Sequence, residues 1–474
     1  MIDDKTVSAP DFERDESFRD TIGTVDKAGK RVWITPKKPK GKFYTARIWT
    51  TLVLLALLFS GPFIRIGGQP LLLLNFFERK FVIFGAPFWP QDFHLFALLL
   101  LSFVIFIVTF TAVFGRVWCG WACPQTVFME MVFRKIEYWI EGDGNKQRKL
   151  NAAPMSFSKF FKKTSKHIIF FAIAFLIGNT FMAYIVGSEA WWEIVTQPPS
   201  AHLSGFSAVV IFSGIFYFVF AYFREQACVI VCPYGRFQSV LLDKASIVIS
   251  YDFKRGEPRG KISKKNPNAK LGDCIDCHQC VDVCPTGIDI RNGTQLECVN
   301  CTACIDACDS VMTKIKRPKG LIRFSSYNAI KTGEHRKITP RVMGYSIVLV
   351  LIIGIFISVL LTRNPIETTV LRTPGVLYQK TESGGISNVY QFKIVNKTFD
   401  DMAIHFTLKD KKAVIRLNQN ILSVPKNKLF SSTMVIELPR TELEPGRNKI
   451  TLEVWRGDVL LEEVDTTFQA PAEF

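Results

Sequence analysis

Five apolar runs, each about as long as a membrane-spanning helix, constrain the fold of this chain more than any other feature. A helix of about 20 residues crosses the hydrocarbon core of a bilayer. In lipid, every backbone polar group must find its partner within the spanning segment. The sequence therefore predicts a five-helix transmembrane α bundle. The predicted spans centre on residues 48–64, 93–114, 168–186, 206–223 and 342–361.

A further apolar stretch, residues 70–90, is predicted to be an interfacial loop and not a sixth span. The charged residues Glu78, Arg79 and Lys80 interrupt it, together with three prolines. The number of predicted spans therefore stays at five.

The charge pattern predicts which side of the membrane each loop occupies. Basic residues outnumber acidic ones in three loops: ten to four in residues 116–166, seven to two in 251–272 and nine to one in 314–341. The loop of residues 187–205 holds no Lys or Arg. The positive-inside rule then puts the N-terminus and all twelve cysteines in the cytoplasm. The C-terminal segment falls in the periplasm, so we expect a multi-pass protein of the bacterial inner membrane, in contact with membrane lipid.

The net charge of +17 is accounted for by these loops, and we expect no nucleic-acid binding. The first 42 residues are polar and show no cleavable signal peptide.

Eight of the cysteines have the spacing of a bacterial two-cluster ferredoxin. Two runs of Cys-x2-Cys-x2-Cys-x3-Cys follow each other, and in this pattern the fourth cysteine of each run ligates the other cluster. A pair of zinc sites with four cysteine ligands each is the alternative. The predicted ligands are Cys274, Cys277, Cys280 and Cys308 for one [4Fe–4S] cluster, and Cys298, Cys301, Cys304 and Cys284 for the other.

The remaining four cysteines form a repeated motif, Cys-x3-Cys-Pro, at Cys119/Cys123 and Cys228/Cys232. Residues four apart share one face of a helix, so each pair is predicted to offer two sulfurs to one metal. Four thiolates would suit Cu(I), zinc or iron. The sequence leaves two alternatives open: buried cysteines without a metal, and a dithiol/disulfide couple.

Residues 365–474 change character to short alternating runs separated by turn signals, which predicts a small immunoglobulin-like β-sandwich. The predicted fold is thus a mixed membrane protein, with a cytoplasmic 2[4Fe–4S] ferredoxin-like insert and a C-terminal periplasmic Ig-like β-sandwich. Its predicted parts are an N-terminal segment (1–42), a four-helix transmembrane region with both Cys-x3-Cys-Pro motifs (43–250), the ferredoxin-like domain (251–320), a basic linker with the fifth span (321–364) and the sandwich (365–474).

In combination, these motifs resemble the CcoG/FixG/RdxA family of cytochrome oxidase accessory proteins, which are relatives of the NapH membrane polyferredoxins. The resemblance covers nearly the whole chain. One departure is visible, because Asp309 stands where proline usually follows the second run. The family resemblance implies a cupric reductase that supplies Cu(I) to the copper centre of cbb3-type cytochrome c oxidase. It also implies oxidase assembly factors and a copper chaperone as partners, with copper bound at Cys119, Cys123, Cys228 and Cys232 as the catalytic residues.

Two other functions fit the same motifs. The chain could be a quinol-linked electron-transfer ferredoxin, or a non-enzymatic scaffold for oxidase assembly. No G-x-G-x-x-G motif follows a strand, so direct oxidation of a nicotinamide cofactor is not expected. The sequence leaves the electron donor unknown, and it leaves open whether two copies of the chain form a homodimer.

Overall fold

The structure is a computed structural model that describes residues 23–473 apart from short gaps. These gaps are residues 27, 67, 78–79, 89–91, 262–270, 334–338, 376, 382–383, 399, 410–411, 418–421 and 427. Part of the predicted N-terminal segment (1–22) and part of the predicted basic linker (334–338) therefore lie outside the described residues, as do Glu78 and Arg79.

The described residues form fifteen α-helices. In chain order they are α1 (Lys42–Ser60), α2 (Phe93–Phe114), α3 (Val117–Trp121), α4 (Pro124–Thr126), α5 (Arg134–Ile140), α6 (Gly144–Ala152), α7 (Phe157–Val186), α8 (Ser188–Thr196), α9 (Leu203–Phe218), α10 (Pro233–Leu241), α11 (Phe253–Gly256), α12 (Gln279–Asp282), α13 (Ala303–Lys314), α14 (Tyr327–Thr332) and α15 (Pro340–Leu361). π-Helical turns occupy Val127–Phe133, Val219–Phe223 and Ala227–Val231, and 3₁₀ turns occupy Ile290–Asn292 and Arg440–Glu442.

Sixteen β-strands occur in the same part of the chain. They are β1 (Arg65–Ile66), β2 (Gln69–Pro70), β3 (Leu72–Asn75), β4 (Lys80–Ile83), β5 (Ala86–Phe88), β6 (Val248–Tyr251), β7 (Ile322–Ser325), β8 (Ile366–Arg372), β9 (Gln379–Lys380), β10 (Ile386–Asn396), β11 (Met402–Leu408), β12 (Val414–Arg416), β13 (Leu422–Val424), β14 (Leu429–Leu438), β15 (Arg447–Arg456) and β16 (Val459–Gln469).

Five helices are long and apolar enough to cross a membrane, which confirms the predicted number of spans among the described residues. They are α1, α2, α7, Leu203–Phe223 and α15. Two of these helices begin well before the apolar runs on which the predicted spans centre. The first helix begins at Lys42 and ends at Ser60, because Pro62 cannot continue the helical hydrogen bonding. The third begins at Phe157, where the Ser156 side chain accepts a hydrogen bond from the Lys159 N–H and caps the first turn.

The prediction of an interfacial loop at residues 70–90 is wrong. Strands β3, β4 and β5 form an antiparallel sheet there, and β1 pairs with β2 just before it. Phe84 and Gly85 both have positive φ, as the tight two-residue hairpin between β4 and β5 requires. Short strands of this kind carry too weak a sequence signal to separate from a loop.

The ferredoxin-like segment lies between two paired strands. β6 and β7 run antiparallel, with Ile249 opposite Phe324. Ile249, Ile322 and Met312 are at most 2% exposed and pack with several of the cysteines in one core. This pairing closes the segment at its base and fixes the start of the loop that carries Cys274.

The C-terminal strands form two sheets packed around one apolar core, which confirms the predicted β-sandwich. One sheet has the order β12–β14–β10–β8, with β9 also on β10, and the other has the order β13–β11–β15–β16. Tyr390, Phe392 and Phe468 are fully buried between them. The alternating pattern of β10 and β15 thus marks the faces that pack inward.

The chain divides into two compact units. One comprises residues 1–61 and 100–352, and the other comprises residues 62–99 and 353–474. All twelve cysteines belong to the first unit. In the second, the buried Asp92 carboxylate pairs with Arg363 at 2.6 Å and with Lys397 at 2.8 Å.

Candidate metal centres

Two cavities are lined by the ferredoxin-type cysteines. The first set of predicted ligands lines one cavity and the second set lines the other, residue for residue. One cavity is lined by Cys274, Cys277, Cys280 and Cys308. The second cavity is lined by Cys284, Cys298, Cys301 and Cys304. Cys280 also lines the second cavity, so the two cavities are neighbours.

The two cysteine runs share the same unusual backbone. Asp276 and His278 have positive φ in the first run, and Asn300 and Thr302 have positive φ at the equivalent positions of the second. Asp, Asn and His adopt this region more readily than most residues do. The repeated conformation curls each loop around its cavity, so both runs present their thiols in the same way.

The donor set fits two [4Fe–4S] clusters better than single ions. Within the described part of the chain, no three His, Cys, Asp or Glu side chains stand close enough to hold one metal ion. The spacing of the eight cysteines along the chain matches the ligation of two four-iron clusters, whereas a zinc site would need four sulfurs about 2.3 Å from one ion. A bound cluster supplies one-electron transfer, and the eight cysteines named above would hold the two clusters.

The geometry of the Cys-x3-Cys-Pro motifs differs from the prediction. Cys119 lies in α3, but that helix ends at Trp121, and Cys123 caps the next helix with an extended backbone. Cys228 lies in a π-helical turn, and Cys232 caps α10. The prediction that each pair shares one helix face is therefore wrong. The proline after each second cysteine is the reason, since it disfavours helical backbone in the residue before it.

The structure nevertheless brings the two motifs together. Burial and the nearby thiols of Cys123, Cys119 and Cys232 together raise the pKa of Cys228 to about 12. Burial likewise raises the pKa of Cys119 to about 11, with contributions from Cys123 and Cys232. Residues separated by about a hundred positions thus lie near one another, and we call these four cysteines the thiol site. In the described structure no three of them stand close enough to hold one metal ion, so copper binding would require the thiols to draw together.

A buried arginine that the sequence analysis did not single out lies beside the thiol site. Arg116 is 4% exposed, and its Nε donates to the Gln238 Oε1 atom at 3.3 Å. Cys119 Sγ donates to the same oxygen at 3.0 Å. The other end of the guanidinium contacts the Leu296 carbonyl, close to Cys298. Among the described residues Arg116 makes no ion pair, so this buried cation faces thiols and not a carboxylate.

The thiol site packs directly on the loop of the second cluster cavity. Cys119 shares a buried apolar cluster with Val299 and Cys301. A Cβ added to Gly120 would lie 2.5 Å from the Val299 carbonyl oxygen and 2.8 Å from that of Asn300. Only glycine permits this approach, so α3 and the loop carrying Cys298 and Cys301 are held in contact.

Arg116 is expected to raise the midpoint potential of the cluster held by Cys284, Cys298, Cys301 and Cys304, because a nearby positive charge favours reduction. Arg116→Gln should therefore lower that potential, and a decrease of about 60 mV would make one-electron reduction about tenfold less favourable. Redox titration followed by electron paramagnetic resonance (EPR) measures it. Arg116→Lys keeps the charge and should shift the potential less. An unchanged potential in a fully cluster-loaded Arg116→Gln protein would contradict this role.

Three family models match the chain. One described as a 4Fe-4S dicluster domain matches residues 223–327, and a 4Fe-4S binding domain matches residues 96–142. The third, an IG-like fold at the C-terminal of FixG, matches residues 356–471. The iron–sulfur matches include both Cys-x3-Cys-Pro motifs and the eight ferredoxin-type cysteines.

Three relatives match over most of their length. Protein RdxB of Cereibacter sphaeroides is 31% identical over 91% of this chain and 94% of its own. Nitrogen fixation protein FixG of Rhizobium meliloti is 33% identical over 81% of this chain and 80% of its own length. Protein RdxA of C. sphaeroides is 34% identical over 78% of this chain and 81% of its own length.

A crystal structure of a FixG-related protein from Vibrio parahaemolyticus also matches, with a TM-score of 0.20 and 17% identity over 23% of this chain and 97% of that one. The three relatives named above are 31–34% identical to this chain and cover 78–91% of it. On this basis the chain belongs to the FixG, RdxA and RdxB family of membrane iron–sulfur proteins.

Proposed function

We propose that this chain is a membrane-bound cupric reductase that converts Cu(II) to Cu(I) for assembly of the copper centre of cbb3-type cytochrome c oxidase. The observation that carries the proposal is the contact between the thiol site and the second cluster cavity. Cys119 and Cys301 belong to one buried apolar cluster, and α3 touches the cluster loop at Gly120. Four soft ligands next to a one-electron centre suit a metal that changes charge by one.

In this proposal copper is the substrate, bound by Cys119, Cys123, Cys228 and Cys232. Thiolates prefer Cu(I) to Cu(II), so the site stabilises the reduced product relative to the ion that enters. Arg116 offsets the negative charge of the thiolates, and its burial keeps that interaction strong. Gln238, which is fully buried, holds the Cys119 thiol and the guanidinium at one oxygen.

The proposal includes the sidedness that the loop charges favour. The thiol site and both clusters would face the cytoplasm of an inner-membrane protein, and the Ig-like sandwich would lie in the periplasm. The sandwich would then be available to oxidase assembly factors or to a copper chaperone. Its two sheets bury an apolar core between them, and the side chains that point away from this core would provide the docking surface.

A turnover assay with purified, cluster-loaded protein in lipid nanodiscs tests the proposal. The protein is reduced with dithionite and freed of excess reductant, and Cu(II) is added with a colorimetric Cu(I) chelator. We expect stoichiometric, EPR-detectable oxidation of the clusters together with formation of Cu(I). Clusters that remain reduced in the presence of Cu(II) would contradict the proposal and favour a dedicated electron carrier.

Copper binding should strengthen as the pH rises. The raised pKa values of Cys119, about 11, and Cys228, about 12, mean that both thiols carry protons at pH 7 and lose them on ligation. Below these pKa values, the apparent affinity for Cu(I) should rise about tenfold per pH unit for each proton released. Calorimetric titration in buffers of different ionisation enthalpy counts the protons. Binding without proton release would show that the thiols are not the ligands.

A further inference from the structure

An open pocket on the first unit is lined by residues that the proposed copper chemistry does not use. It lies between α7 and the end of the Leu203–Phe223 span, and its lining includes Phe160, Lys163, His167, Phe171 and Tyr217. The Tyr217 hydroxyl is 2.8 Å from His167 Nδ1. Phe160 and Phe171 are 58% and 41% exposed, so two aromatic side chains stand open beside a hydrogen-bonded His–Tyr pair.

The pocket lies where a lipid-soluble molecule could enter. His167 immediately precedes the apolar part of α7, and Tyr217 lies near the end of its span. The His167 ring also stacks on Tyr222, with ring centroids 6.0 Å apart. Tyrosine side chains at the ends of spans mark the membrane interface. The polar groups of the pocket therefore lie at the level of the lipid headgroups, and its aromatic walls face the lipid.

A buried charged network begins at the wall of this pocket. Lys163 Nζ lies 3.0 Å from the Glu141 Oε1 atom, and Lys166 Nζ lies 3.0 Å from the same oxygen. Lys166 also approaches Glu137 at 3.6 Å. Both carboxylates are at most 5% exposed. Buried ion pairs stabilise a fold little in comparison with apolar residues of the same size, so this network calls for a role besides packing.

The network continues towards the thiol site. Arg224 pairs with the second oxygen of Glu137. The Arg224 backbone carbonyl accepts a hydrogen bond of 3.3 Å from Gln125 Nε2, and Gln125 is two residues after Cys123. Ion pairs and hydrogen bonds therefore run from the pocket wall to Gln125, which the backbone joins to Cys123 two residues away.

We propose that the pocket binds a lipid-soluble hydroquinone, which is the electron donor of this chain. A hydroquinone has a flat ring that packs between aromatic side chains and two polar oxygens that need hydrogen-bond partners. The His167–Tyr217 pair is placed to bind one oxygen, and Lys163 is placed to bind the other. A soluble nicotinamide donor would instead need a phosphate-binding loop, which the pocket lining does not provide.

The reaction balances with the groups at hand. Hydroquinone becomes quinone when its two O–H bonds break, releasing two protons and two electrons. One proton passes to the free ring nitrogen of His167, and the other passes to the Glu141 carboxylate beside Lys163. The two electrons would pass one to each of the two [4Fe–4S] clusters that the eight ferredoxin-type cysteines would hold, and two Cu(II) ions would then accept them as Cu(I). This inference rests on the proposed function for its last step only.

Binding is tested without turnover, with the full chain in nanodiscs and a photoreactive azido-ubiquinone as the probe. We expect crosslinks to peptides of α7 or Leu203–Phe223. His167→Gln and Tyr217→Phe should each weaken binding of decylubiquinone about tenfold, as expected for loss of one buried hydrogen bond. His94→Gln and Tyr345→Phe are matched controls at the ends of α2 and α15 and should bind like the unmodified chain. Iron content and dithionite-bleachable absorbance verify that each variant is folded.

The outcomes separate this inference from the proposed function. Equal binding by the unmodified chain and both pocket variants, or crosslinks confined to other spans, would overturn the hydroquinone site. If decylubiquinol then fails to bleach the clusters although dithionite-reduced protein still reduces Cu(II), the proposed function stands and the donor is another molecule. If decylubiquinol bleaches the clusters but Cu(II) is never reduced, the pocket stands and the proposed function is wrong.

Discussion

Simultaneous replacement of Cys119, Cys123, Cys228 and Cys232 by alanine is expected to abolish cupric reduction while leaving both clusters intact. Loss of one residue that hydrogen-bonds to a metal ligand typically lowers metal affinity or activity about 10–100-fold. Removal of all four thiols, which are the ligands themselves, should therefore lower the activity by more than this factor. The eight other cysteines line separate cavities and keep their own contacts. Cu(I) formation by dithionite-reduced protein measures activity, and EPR of the reduced protein measures the clusters.

A methionine variant provides the matched control for the loss of sulfur ligands. Met129 and Met131 follow Cys123 and are each 4% exposed, and Met129 packs against Phe128 and Phe133 in an apolar core. Met129→Leu/Met131→Leu keeps the side-chain volume and should cost less than about 1.5 kcal/mol in stability. We expect it to reduce Cu(II) at the rate of the unmodified chain. Undiminished activity in the four-alanine variant would remove the thiol site from the mechanism.

Gly120→Ala is expected to impair copper reduction by separating the thiol site from the loop of the second cluster. A methyl group there would meet the backbone carbonyl oxygens of Val299 and Asn300 at 2.5 and 2.8 Å. Backbone atoms cannot swing aside as a side-chain tip can, so α3 must move. Overpacking of this kind costs about 1–3 kcal/mol. A displacement of about 1 Å at a reacting centre can lower a rate about a hundredfold.

Stopped-flow mixing of dithionite-reduced protein with Cu(II) measures that rate, and thermal unfolding measures the stability. Gly214→Ala is the control, because Gly214 lies within α9 and a Cβ added there meets nothing within 4 Å. It should change stability by no more than about 1 kcal/mol, as the helix propensities of glycine and alanine predict. A Gly120→Ala protein with the normal rate and full cluster content would show that the contact does not matter for electron transfer.

Much of the fold was predictable because its signals are local. The apolar length of the five spans, the alternation along β10 and the spacing from Cys274 to Cys308 each lie within one short stretch of sequence. Helix ends and short strands were less predictable, as residues 70–90 show. A charged, proline-containing stretch is compatible with a loop, and the hairpin at Phe84–Gly85 depends on backbone conformations that the composition does not reveal.

By itself the sequence determined the membrane class, the cysteines that line each cluster cavity and the existence of a second set of thiols. Only the tertiary structure decided where that second set lies. It placed Cys119 against Cys301, put the buried cation of Arg116 between the thiols and the cluster loop, and built the His167–Tyr217 pocket from two spans. Motif spacing reports only neighbours along the chain, whereas these contacts join residues some 50 to 180 positions apart, which meet only when the helices pack.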